Sequence, residues 1–164
     1  HLPCPRSGGL TVLATTPAPA FADTRDKIER YGWAVIGVGP THPDQGVAFA
    51  YTVGLSEWWA PELAVYGLDL STAHSLLNVA ARWVTGRGAL TDTASRVSFP
   101  GGWPAMALID MTDTSDLVGV GHEYGEVAAA RQIVWPDRDD RMPWQPGYCI
   151  RAAAQPLFGR PPRP

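Results

Sequence analysis

Between Gly32 and Leu68 the apolar positions fall into three consecutive short runs separated by turn formers, a pattern that predicts three strands in succession. The first covers residues 33–38 and stops at Gly39-Pro40. The second covers 47–55, and its two faces differ: Phe49, Tyr51, Val53 and Leu55 alternate with Ala48, Ala50, Thr52 and Gly54. The third covers 62–68, after a turn at 56–61 that holds Trp58 and Trp59. A strand with large residues on one side and very small ones on the other lets something come close to its backbone, whether a helix, another sheet or a ligand.

Helical spacing appears on either side of this block. Asp23 offers an N-cap, Ile28 and Tyr31 share a face, and Gly32 suits the left-handed position after a last turn. Asp69 or Ser71 caps the strongest helix, residues 72–85. Ala73, Leu76, Leu77, Ala80 and Val84 form its apolar stripe, with His74, Asn78 and Arg82 opposite. Further on, residues 96–99, 104–111 and 131–135 read as strands. A helix after 112–116 is weakened by Gly119, Gly121 and Gly125, at about 1 kcal/mol each. Residues 1–22 read as an extended arm with an edge strand at 10–13, residues 23–159 as one domain, and residues 160–164 as a disordered tail.

The 164 residues, 45% hydrophobic and 18% charged, describe an ordinary soluble globular chain. The net charge of -3 gives no basic footprint for nucleic acid, so a nucleic-acid partner is not expected. Lys27 is the single lysine, which leaves little scope for Schiff-base chemistry. Two cysteines, Cys4 and Cys149, are too few for a disulfide framework, and two free thiols in a reducing compartment are expected. No apolar run is long enough to span a bilayer, and no signal-peptide pattern opens the chain. The expected location is therefore the cytoplasm, without a membrane partner.

Metal and phosphate motifs are weak. His42, His74 and His122 show no ligand spacing. Asp137, Asp139 and Asp140 resemble the start of a calcium loop, but Met142 stands where its glycine belongs and Tyr148 where its glutamate belongs. The run from Gly119 to Gly125 misses dinucleotide-binding spacing by one residue. No metal is expected. A pocket does fit the pattern: Tyr51, Thr52, Ser56, Arg82, Gln132, Trp135 and Trp144 as binding groups, with Glu57, Glu62 and Asp137 to handle protons. A carboxylate among aromatic walls can have its pKa raised toward neutrality.

The order of short motifs matches a known family. Tyr51-Thr52-Val53-Gly54-Leu55, Pro61-Glu62-Leu63 with Tyr66-Gly67-Leu68, Leu76-Leu77-Asn78, Gln132-Ile133-Val134-Trp135-Pro136-Asp137 and Pro143-Trp144 follow its pattern. The chain resembles the bacterial family catalogued as domain of unknown function 4262 over about residues 28–159. It departs from the pattern at Ala60, where a histidine is expected before Pro61-Glu62. The resemblance implies a stand-alone bacterial domain. Two remoter likenesses diverge. One is to flavin-binding split barrels, which implies a flavin phosphate near Thr52, Ser56, Arg82 and Arg87. The other is to suppressor-of-fused-like domains, which implies an interaction or immunity module without catalysis.

The expected fold is α+β: one domain with a mostly antiparallel twisted sheet, or a partial barrel, carrying one main helix at 72–85. The expected function is small-molecule binding at the ends of the second and third strands, walled by the 135–144 segment. An enzyme, flavin-dependent oxidoreductases included, is one form of that reading. The alternative is a protein-interaction or immunity module of the suppressor-of-fused-like type, with Trp58 and Trp59 as anchors.

Overall fold

The structure, a computed structural model, describes residues 10–13, 21–40, 46–87 and 96–163. Its strands are β1 (Leu10–Leu13), β2 (Ala34–Val38), β3 (Phe49–Val53), β4 (Glu62–Tyr66), β5 (Arg96–Val97), β6 (Met106–Asp110) and β7 (Ala130–Val134). The helices are α1 (Thr24–Tyr31), α2 (Leu70–Arg87) and α3 (Val118–Tyr124), with 3₁₀ turns at Leu55–Trp58 and Ala152–Ala154. The strands form one sheet in the order β1-β2-β3-β4-β7-β6-β5. The β1–β2 and β4–β7 pairs are parallel and the other four antiparallel. The α+β class holds, with the expected edge strand at 10–13. The sheet is open rather than a partial barrel, because β1 and β5 lie at opposite edges and do not pair.

The helix ends follow the sequence closely. Asp69 caps α2 by accepting from the Thr72 N–H at 2.9 Å. Gly32, at φ +94°, closes α1 and donates to the Ile28 carbonyl at 2.8 Å. Asp23 precedes α1 but bridges Lys27 at 3.0 Å instead of capping with its side chain. All five residues of the expected α2 stripe are buried. They pack on the sheet face that carries Val35, Ala50, Leu63, Val65, Leu108 and Ile133.

This packing accounts for the small face of β3. Ala50 is fully buried beneath the core that α2 builds, so a helix takes the close approach that the small residues permit. Gly54, at φ +122°, turns the chain at the end of β3, and a side chain there would meet the Trp33 Cα at 3.1 Å. The strand expected at 47–55 therefore ends at Val53, and Leu55 swings into the α2-side core, away from Phe49, Tyr51 and Val53. Those three face a second core with Ile36, Tyr66, Leu117 and Val120.

The glycines of α3 have a packing reason. A Cβ at Gly119 would lie 2.5 Å from Ile36 Cδ1 and 2.9 Å from the Tyr51 hydroxyl, to which the Gly119 N–H donates at 2.8 Å. The helix rests directly on the sheet. On α2, the expected polar side divides: Arg82 is exposed, whereas His74 and Asn78 are buried. Trp33 Nε1 donates to Asn78 Oδ1 at 3.0 Å, which fixes the amide so that its Nδ2 faces His74 Nε2 at 3.0 Å. Residues 160–163 have no regular secondary structure, and most of the arm at 1–22 lies outside the described residues.

Candidate functional site

Two of the three candidate carboxylates are enclosed by the protein's own donors. Glu62 opens β4 and is 1% exposed. Its Oε2 accepts from the Thr52 hydroxyl at 2.6 Å, and its Oε1 accepts the N–H groups of Gly54 at 2.8 Å and Ser56 at 3.3 Å. The Thr52 hydroxyl in turn accepts from the Leu63 N–H at 2.9 Å, filling the ladder gap where β3 and β4 separate. Burial pushes the Glu62 carboxyl above the ordinary range, against the pull of these donors. Its geometry is that of a staple between the end of β3 and the 3₁₀ turn.

Asp137 has the same character at another place. Oδ1 accepts the N–H groups of Asp139 and Arg141, both at 2.9 Å, and Oδ2 accepts that of Cys149 at 3.0 Å. Burial works to raise its pKa, but these N–H bonds outweigh it and the carboxyl lies below its usual range. Asp137, Asp139 and the exposed free thiol of Cys149 have atoms within 4.8 Å of one another, yet each Asp137 oxygen is already committed to backbone N–H groups. A hydrogen bond to Asp137 raises the thiol's pKa, so the thiolate is disfavoured. Cys4 lies outside the described residues.

The strand register separates the expected pocket into two groups. Glu62 pairs with Ala130 at the start of the parallel β4–β7 ladder. Trp135 lies beyond its other end, where its Nε1 donates to the Tyr66 carbonyl at 2.8 Å. At about 3.3 Å per residue, Ala130 and Trp135 are roughly 16 Å apart along the strand. Thr52, Ser56, Glu57 and Glu62 come together; Trp135 and Asp137 follow β7 at the opposite end, and Trp135 and Trp144 pack on different cores. Gln132 lies between these groups and is spent on the C-terminal segment, donating to the Pro156 carbonyl and accepting from the Phe158 N–H, both at 2.8 Å. Tyr51 is fully buried, with its pKa raised by burial to about 12. Trp144 packs on a small core with Ile109 and Met142. The flavin reading fails on fit. Thr52 is fully buried with its hydroxyl on Glu62 at 2.6 Å, and the Ser56 N–H serves that same carboxyl, so neither is left to hold a phosphate.

Glu57 is the accessible carboxylate of the three. It accepts from the Tyr124 hydroxyl and, at 3.3 Å, from Arg25. The Tyr124 bond above all holds its carboxyl below the ordinary range, against burial and with help from Arg25. Arg25 pairs more closely with Glu123, at 2.5 Å, and its guanidinium lies 5.9 Å from the Tyr124 ring centroid. These four side chains tie α1, the 3₁₀ turn and α3 together. Arg25, Glu123 and Tyr124 carried no motif in the sequence, because the contacts span up to 98 positions.

Beside this knot lies a groove of about 550 Å³, formed where the end of α1 meets the 3₁₀ turn and lined by Glu29, Arg30, Tyr31, Glu57 and Trp58 among others. Trp58 is 51% exposed, yet its ring is fixed. Its Nε1 donates to the Gly32 carbonyl at 3.0 Å, and its Cζ2 lies 3.1 Å from where a Cβ on Gly32 would be. Trp59 is 94% exposed and sits at φ +60°, a left-handed conformation that costs a non-glycine residue about 1–2 kcal/mol. Tyr31, 40% exposed, completes the aromatic rim.

Residues 27–149 match the model of the family described as "Domain of unknown function (DUF4262)". No curated protein and no solved structure matches the chain significantly. No helix among the described residues is long and apolar enough to cross a membrane.

Proposed function

For a chain that belongs to the domain of unknown function 4262 family, we propose the role of a non-catalytic protein-interaction module that receives its partner on Trp58 and Trp59. The observation that carries this reading is Trp59, 94% exposed on a left-handed backbone beside a tryptophan already fixed in place. Removing some 150–250 Å² of tryptophan surface from water is worth about 4–6 kcal/mol before the costs of association. The pinned Trp58 ring has little rotamer freedom left to lose on binding.

A small-molecule site is the weaker reading. Ligand pockets bury most of their ligand, whereas the indole lining this groove, Trp58, is itself 51% exposed. Glu62 and Asp137 are occupied in holding loops, which supports a role without proton transfer. The test is crosslinking in cells of the source organism, with the crosslinked positions mapped, repeated with Trp58→Ala/Trp59→Ala. The reading requires crosslinks at Tyr31, Trp58 or Trp59, lost in the double variant while its melting temperature stays within a few degrees. Crosslinks confined to other surfaces, or partner capture that survives the double substitution, would refute it.

A further inference from the structure

The charges around the groove say which part of a partner belongs there. Its charged lining comprises two carboxylates, Glu29 and Glu57, against one guanidinium, Arg30. Arg25 also reaches Glu57, but only at 3.3 Å, and it is matched by Glu123 at 2.5 Å. One guanidinium is thus shared between two carboxylates, and the Tyr124 hydroxyl that also donates to Glu57 adds a hydrogen bond but no positive charge. The groove also sits at the C-terminal end of α1, where the helix dipole places partial negative charge. Across it stands Trp58, the ring type that attracts a cation most strongly, with one side on Gly32 and the rest half open to solvent.

On the strength of the docking reading above, we infer that the groove binds a basic side chain of the partner protein, an arginine or lysine laid on the Trp58 ring and paired with Glu57. Planar guanidinium suits this position better than ammonium, because it stacks on the indole and still donates to a carboxylate at its edge. Arg30 is the unfavourable element, a like charge on the same lining.

The experiment is two-dimensional ¹⁵N NMR of the full chain, titrated with three peptides: acetyl-Gly-Arg-Gly-Arg-Gly-amide and its counterparts with glutamate or leucine in place of arginine. The arginine peptide is expected to move the Trp58 indole and Gly32 amide signals at millimolar concentration, and more weakly as salt rises. Glu57→Gln should weaken it roughly three- to fivefold, and Arg30→Ala should tighten it by a similar factor. Trp58→Leu, which keeps apolar bulk, should abolish binding; if that variant fails to fold, the Glu57 and Arg30 variants decide. A leucine peptide that binds as well as the arginine peptide leaves docking standing and overturns the inference. Tighter binding of the glutamate peptide, or no response to Glu57→Gln, does the same. Silence at Trp58 and Gly32 with all three peptides overturns the docking reading and the inference with it.

Discussion

Replacing Glu62 by alanine removes the acceptor on which the turn after β3 depends. Three donors lose their partner: the Thr52 hydroxyl, the Gly54 N–H and the Ser56 N–H. The Ser56 bond is long and partly exposed, so that group turns to water at little cost. The first two are buried. At about 1–3 kcal/mol for each buried donor left unsatisfied, the loss is about 4 kcal/mol. For a domain of this size that lowers the melting temperature by about 8–16 °C. The pH dependence supplies a second arm. Burial raises the folded-state pKa of Glu62, so the folded chain holds the proton more tightly than the unfolded one. Its contribution is then greatest below the ordinary carboxylate range and declines as pH rises through the elevated folded value. Glu62→Gln, which does not titrate, should flatten that decline. The assay is urea unfolding of wild type and both variants across pH 4–8. A loss under about 1 kcal/mol for Glu62→Ala would refute the staple, and a wild type that gains on Glu62→Gln as pH rises would show the donors outweighing burial and refute the raised pKa.

Other expectations follow from single positions. Gly67→Ala places a Cβ 2.1 Å from the Ala154 carbonyl oxygen at φ +87°, so it should cost about 2–4 kcal/mol and open residues 152–159 to limited proteolysis. Trp59→Gly relieves the left-handed strain and should raise stability by about 0.5–1 kcal/mol in thermal melts, while losing partner capture. Glu57, held below the ordinary range, contributes stability above its unfolded pKa and loses it as pH falls through its lower folded value. The difference between wild type and Glu57→Gln in acid unfolding should therefore vanish at the low end, and a constant difference would contradict the Tyr124 and Arg25 contacts.

The parts of this fold that depend on local spacing are legible in the sequence. The α2 stripe, the Asp69 cap and the Gly32 terminus each need only neighbours within a turn. What resists reading is set by partners distant in the chain. His74 and Asn78 lie on a face that reads as polar, and they are buried because Trp33, 45 positions from Asn78, brings an indole N–H that requires an acceptor. Gly119 and its neighbours argue against a helix until Ile36 and Tyr51 are seen pressing on it. Spacing could nominate Glu62, Asp137 and Trp135 as polar and aromatic groups near strand ends. It could not say that a parallel β4–β7 pairing would send Glu62 to one end of the sheet and the other two to the opposite end. Trp58 and Trp59 were visible as a pair, whereas the pinning of the first and the strain of the second come from Gly32 and the turn geometry.

The single ladder between β4 and β7 is also a seam. Among the described residues every other strand pairing lies within β1–β4 or within β5–β7. The later block can be laid against the earlier one only after some sixty intervening residues have been drawn back, a closure that slows folding. Once made, that row of parallel bonds is where the two blocks would come apart under load. Deuterium uptake in β7 should thus mark the opening of the whole sheet rather than the fraying of a strand.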